Sequence, residues 1–229
     1  MRTGMWAALA GTVAILSSAA VGAQSPRDLL TQASFVDRDR VVALRRVTQA
    51  QTVATTQLQR APGDREAALM QATALGYRAK LTGSRSDAIA ARKAMELLVA
   101  RIPSDPERQM LLGAWHTGAI DKLGRLVARA ALGANKAAGL AAIDRGVALG
   151  GTRAMFPALA AMLRLGLDPA DPRGRPLLEA AIRGATPTAM DRRLQRSAAA
   201  MLPSVRAGDR NATRKLAKAL LPLGAIVED

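Results

Sequence analysis

His116 is the only imidazole in a chain of 229 residues, and it stands directly after Trp115. Catalysis built on it would need a nucleophile or a carboxylate marked as its partner, and no such constellation is visible. A metal centre would need further His, Asp or Glu ligands at helical spacing, and none accompanies it. The chain has no cysteine. That removes disulfides, thiolate ligands, cysteine nucleophiles and a lipidated N-terminal cysteine together. Gly-X-Ser-X-Gly, phosphate-loop and dinucleotide-loop patterns are also absent. These residues therefore predict a protein that is not an enzyme and holds neither cofactor nor metal. A dispersed active site on an envelope polymer is the remaining enzymatic alternative.

Two readings are open for the aromatic residues. On a helix, His116 has Leu112, Gly113, Ala119 and Ile120 three and four positions away, all apolar or small. It either packs there with one ring nitrogen on a carbonyl, or it contacts a ligand in a groove. Tyr77 and Trp115 either join it as an aromatic ligand contact or fill the core, where large apolar side chains usually lie.

The strongest charge feature is C-terminal. Residues 188–221 carry Arg192, Arg193, Arg196, Arg206, Arg210, Arg214, Lys215 and Lys218 against Asp191 and Asp209, in a chain of formal net charge +15. Met190, Leu194, Met201, Leu202 and Val205 form the opposite stripe. Arg192, Arg193, Arg196, Arg210, Arg214, Lys215 and Lys218 are the candidate face for an anionic partner, either a polymer or a membrane surface; a solvated helix face is the alternative. Nucleic acid is not expected, since neither aromatic stacking positions nor a reading motif accompanies the charge.

The elements that must position these residues begin after an export signal. Arg2 is followed by an apolar run from Met5 to Leu16 and by small residues ending Val21-Gly22-Ala23. This pattern predicts a cleavable signal peptide over 1–23, a mature domain over 24–229, and a periplasmic or secreted location; a retained N-terminal membrane anchor is the alternative. Hydrophobic residues make up 49% of the chain but aromatic ones only 2%, so the core must be built from Ala, Leu, Val, Ile and Met. Small side chains let helices approach closely.

Periodicity and breakers predict an all-α domain. Helices are expected over 37–60, with Val41, Leu44, Val47, Ala54 and Leu58 on one stripe, and over 64–81 with Asp64 as cap. A third starts at Ser86, and its Ala88, Ala91, Met95, Leu98 and Ile102 give the clearest amphipathic pattern. One longer helix is expected over 107–132, with Leu112, Trp115, Ala119, Leu123, Leu126 and Ala130 in register. Helices over 136–149, 152–165, 174–183, 188–207 and 209–221 follow, with a kink expected at Pro203. No strand alternation is present.

Ala88, Ala91, Met95, Leu98-Val99 and Pro103 resemble the second helix of a tetratricopeptide repeat (TPR). The stretch from Ala142 to Gly151 is similar to another second helix, with Gly-Gly in place of the closing proline. Arg206-Ala207-Gly208-Asp209-Arg210, followed by Leu216 and Leu220, resembles the turn within a repeat. Two features depart from the pattern: Leu98 fills a normally small position, and Gly76-Tyr77-Arg78-Ala79 requires a longer loop than the standard unit. Leu111 to His116 is similar to exported bacterial TPR-like proteins, some of which associate with solute transporters. The resemblance implies antiparallel helix pairs stacked as a TPR-like α-solenoid over 24–229. Its concave face would bind a protein or peptide in the cell envelope as a scaffold or adaptor, with no chemistry of its own. A ligand-binding component beside a transporter, with Tyr77, Trp115 and His116 around its pocket, is the alternative implication. Oligomeric state is left open.

Overall fold

The structure is a computed structural model that describes residues 24–226; the expected signal peptide over 1–23 lies outside the described residues. Among these the chain is all-α, with eleven helices and no strand. They are α1 (Pro26–Phe35), α2 (Arg40–Arg60), α3 (Arg65–Thr82), α4 (Arg85–Arg101), α5 (Pro106–Leu123), α6 (Arg125–Leu132), α7 (Lys136–Leu149), α8 (Met155–Leu167), α9 (Gly174–Arg183), α10 (Ala189–Arg206) and α11 (Arg210–Leu220).

Helix starts follow from capping chemistry. Ser25, Asp39, Asp64, Ser84, Asp105, Asn135, Thr188 and Asp209 each accept a backbone N–H of the turn that follows. Each satisfies a donor that the helix itself leaves orphaned. At Thr188 the arrangement is reciprocal, because the Asp191 carboxylate also receives the Thr188 N–H.

The structure corrects three sequence expectations. The helix expected over 107–132 is two helices, broken at Gly124 with φ 77° and ψ 158°. That backbone region is open to glycine and strained for other residues, so one glycine overrides an uninterrupted apolar register. Leu123, Leu126 and Ala130 of that register are exposed rather than buried. The stripe on α2 is also displaced: Ala43, Val47, Ala50 and Ala54 are buried while Val41 is 64% exposed. Alanines permit the close approach to α1 and α3, and the branched Val41 is left outside. Finally, α1 itself was not expected.

Successive helices from α1 to α5 pack on one another in chain order. Their core holds Leu29, Val47, Met70, Met95 and Leu98. A second core surrounds α8, which is buried along almost its whole length from Met155 to Gly166 and contacts α5, α7, α9, α10 and α11. A helix apolar on every side needs cover on every side. Phe156, Met162, Leu165, Leu178, Leu194 and Met201 fill this core at 1% exposure or less.

The chain closes back on its start. Leu223 is buried in the first core, and its N–H donates to the Ser34 carbonyl at 2.9 Å. Lys80 Nζ donates to the Pro222 carbonyl at 2.8 Å. An ion-pair chain crosses the fold as well. Arg27 pairs with Glu66 at 2.6 Å and with Glu107 at 2.8 Å, and Arg153 joins Glu107 at 3.7 Å to the fully buried Asp191 at 3.1 Å.

Candidate functional site

Trp115 and His116 are turned to packing. The Trp115 Nε1–H donates to the Ala88 carbonyl at 3.1 Å, fastening α5 to α4. Its ring meets the His116 ring edge-on, with centroids 5.1 Å apart, and the Arg92 guanidinium carbon lies 6.0 Å from its centre. His116 is 5% exposed. Its Nδ1 accepts the Asn135 N–H at 3.3 Å, so the imidazole serves the residue that caps α7. The sequence reading had a ring nitrogen on a carbonyl; the partner is a donor instead. Burial pushes the imidazole below its ordinary pKa, with the Glu96 carboxylate opposing and Arg92 reinforcing that effect. A neutral ring is the form that can accept at Nδ1.

Tyr77 is partly buried against the first core. Burial raises its phenol, while the neighbouring Ser34 hydroxyl and the Arg27 charge counter that effect. Trp115 packs on the same core. The concavity beside Arg27 and Glu107 and the one beside Phe35 and Arg193 are not lined by Tyr77, Trp115 or His116. Among the described residues no group of three His, Cys, Asp or Glu side chains could hold a metal ion.

The basic C-terminal hairpin divides into two sets. Arg196, Arg210, Arg214 and Lys215 are exposed and face no carboxylate partner among the described residues. The rest are engaged. Lys218 pairs with Asp121 at 2.8 Å and Arg206 with Glu179 at 3.2 Å. Arg192 reaches the Thr186 carbonyl at 3.4 Å. Arg193 Nη2 donates to the Phe35 carbonyl at 2.7 Å, and its guanidinium carbon sits 4.6 Å from the Phe35 ring centre. Of the expected face, Arg193 is therefore a clasp between α10 and the end of α1. On the other side of the hairpin, Leu194, Met201 and Leu202 are buried, as their stripe implied.

A further surface was missed by the periodicity. Around the Gly124 break, Leu123, Leu126 and Val127 are 40%, 77% and 56% exposed, with Arg125 and Arg129 beside them on α6. The Lys218–Asp121 pair ties α11 to the end of α5, two residues before Leu123. Arg214 lies one turn before Lys218 and shares its helix face. Apolar side chains at the break are thus adjoined by cations from α6 and α11. Gly124 was the signal that could have exposed this surface, had it been read as a break.

No family model matches the chain, and none of the curated proteins or solved structures compared with it is similar to it.

Proposed function

We propose that this chain is a non-enzymatic adaptor of the cell envelope that docks a protein partner through the surface around Gly124. One observation carries the reading: Leu123, Leu126 and Val127 stand together in solvent, flanked by Arg125 and Arg129. Burying a Leu or Val side chain fully is worth about 1.5–3 kcal/mol, and Leu126, at 77% exposure, leaves most of that gain unmade, with Leu123 and Val127 leaving part of it. Contiguous exposed apolar side chains with a polar rim mark interaction surfaces. The cations give the partner its sign: an acidic surface with an apolar centre.

The TPR-like solenoid reading is supported by the chain-order packing of α1 to α5. In the C-terminal half α8 is covered by five helices, an arrangement that departs from the neighbour stacking of a repeat array. The envelope location rests on the apolar run and small-residue site before residue 24.

A photo-crosslinking side chain at Leu126 in the full chain, expressed in cells, tests the docking surface. One discrete protein adduct is expected, lost when Arg125→Glu and Arg129→Glu are added. Absence of a protein adduct, or the same adduct in the charge-reversed variant, overturns the proposal.

A further inference from the structure

The clasp between α1 and α10 borders a concavity of about 80 Å³, lined by Phe35, Arg38, Arg193, Ser197 and Leu221 among others. Its chemistry is cationic. Arg193 is anchored by its stacking on Phe35 and its bond to the Phe35 carbonyl, which leaves other N–H groups of a rigid fork for a second acceptor. Burial, then the neighbouring Arg38 and Arg196 charges, push the Arg193 guanidinium below its ordinary value. Among the described residues no carboxylate pairs with Arg38 or Arg193. Of the acids beside Arg38 and Arg193 in sequence, Asp37 is taken by Arg46 at 2.8 Å and 3.2 Å, Asp39 caps α2, and Asp191 is held by Arg153 at 3.1 Å.

Ser197 adds a neutral donor. It is 8% exposed, and its hydroxyl has no hydrogen-bond partner among the described residues. A buried serine on a helix ordinarily returns its proton to the carbonyl one turn back, as Ser34 does to Leu30 at 2.5 Å. Ser197 instead stands on the wall of the concavity. Two guanidinium groups and a hydroxyl around a space this small form an acceptor site for a compact oxyanion.

We propose that this concavity binds a single phosphate group, held by the guanidinium forks of Arg38 and Arg193 and by the Ser197 hydroxyl. A bound anion would offset the like charges of Arg38, Arg193 and Arg196. A space of about 80 Å³ takes the phosphate group alone, so the recognised chemistry is the phosphate itself, whether free or carried on a lipid headgroup.

Calorimetric titration of the full chain with inorganic phosphate at low ionic strength, against a chloride blank, tests this. Saturable binding of one phosphate per chain is expected. Arg38→Ala and Ser197→Ala should each weaken it at least about tenfold, the loss of one charge-assisted or hydroxyl bond. Arg38 is exposed, so that variant keeps the fold; an unchanged circular dichroism melt verifies it. Arg214→Ala with Lys215→Ala, on the same hairpin, should leave affinity unchanged. Competition by phosphatidylglycerol vesicles in wild type but not in Arg38→Ala identifies the lipid headgroup as the source; its absence identifies free phosphate. No saturable binding overturns the proposal, as does equal weakening by the Arg214/Lys215 variant, which would mean diffuse attraction to a basic surface.

Discussion

Gly113 on α5 and Gly139 on α7 lie against each other so closely that a β-carbon on Gly113 would sit 2.9 Å from the Gly139 carbonyl oxygen and 2.6 Å from Ile143 Cγ1. Real β-carbons do not approach backbone so nearly, and backbone cannot step aside as a side-chain tip can. Gly113→Ala is therefore expected to lower the unfolding free energy: overpacking of about 1–3 kcal/mol outweighs the helix-propensity gain of about 1 kcal/mol. Gly113→Val should cost more. Gly118, exposed on the same helix with open space at its β position, is the control, and Gly118→Ala should stabilise by about 0.4–1 kcal/mol. Urea unfolding curves of the three variants decide the point.

Asp191 should govern the acid limit of stability. Its carboxylate is fully buried. Burial alone would raise its pKa, but hydrogen bonds from Thr188, Arg153 and the Met155 N–H together hold it below the usual carboxylate value. A depressed folded pKa stabilises the fold above the unfolded value, and the contribution is lost as pH falls through the folded one. The loss should begin near pH ~4, the ordinary aspartate value. Asp191→Asn is expected to cost about 3 kcal/mol at neutral pH, the lower end for a broken buried pair, since Arg153 stays partly solvated. It should also flatten the unfolding free energy between pH 4 and the acid transition, at about the aspartate range. An undiminished acid slope in the variant would assign that slope to other carboxylates.

His116 offers a titration free of overlap, because it is the only histidine. Its folded pKa lies below the ordinary value, so the unfolded chain binds the proton first. The neutral ring's contribution is complete above about pH 6.5 and falls away as pH drops from there toward the folded value. Proton NMR of the His116 ring should give a midpoint below about 6.5 in the native protein. His116→Gln should remove the stability change across that window. A native midpoint at or above the ordinary value would contradict the buried acceptor role at Asn135.

Two ion-pair clusters of similar appearance should differ in worth. Arg164, 5% exposed, joins Asp144 at 2.6 Å and Asp171 at 3.0 Å. Arg175 and Glu179 pair at 3.0 Å on the surface. Arg164→Met strands two carboxylates, though Arg173 still reaches Asp144, and is expected to cost about 3 kcal/mol. Arg175→Ala should cost less than about 1 kcal/mol, the usual worth of an exposed pair. Chemical denaturation at two salt concentrations separates them, with only the surface pair responding to salt.

Much of the local structure was legible in the residues, because its causes are local. Asn135 and Gly150 bracket α7 where capping and breaker chemistry put its ends, and Asp64, Thr188 and Asp209 cap as their types imply. The start of α1 has its markers in Ser25-Pro26 and Asp28, but a helix of ten residues gives little periodicity to read, and it was not expected. Gly124 was hidden for the opposite reason: Leu112 through Ala130 keeps an apolar register straight across it. The candidate phosphate site was out of reach altogether. Arg193 and Phe35 are 158 residues apart, and nothing in either segment announces the other. For His116 the residues left packing and ligand contact both open, and the sign of its hydrogen bond depends on a loop nineteen residues away.

The return of Leu223 to Ser34 also bears on when the protein can become itself during synthesis. The first four helices can stack before the C-terminal segment joins them, yet their core is closed only when Leu223 packs into it. Arg193 cannot clasp Phe35 until α10 has been made. A chain in which the segment around Leu223 is kept from docking should therefore hold helices without a sealed core, and remain open to proteases.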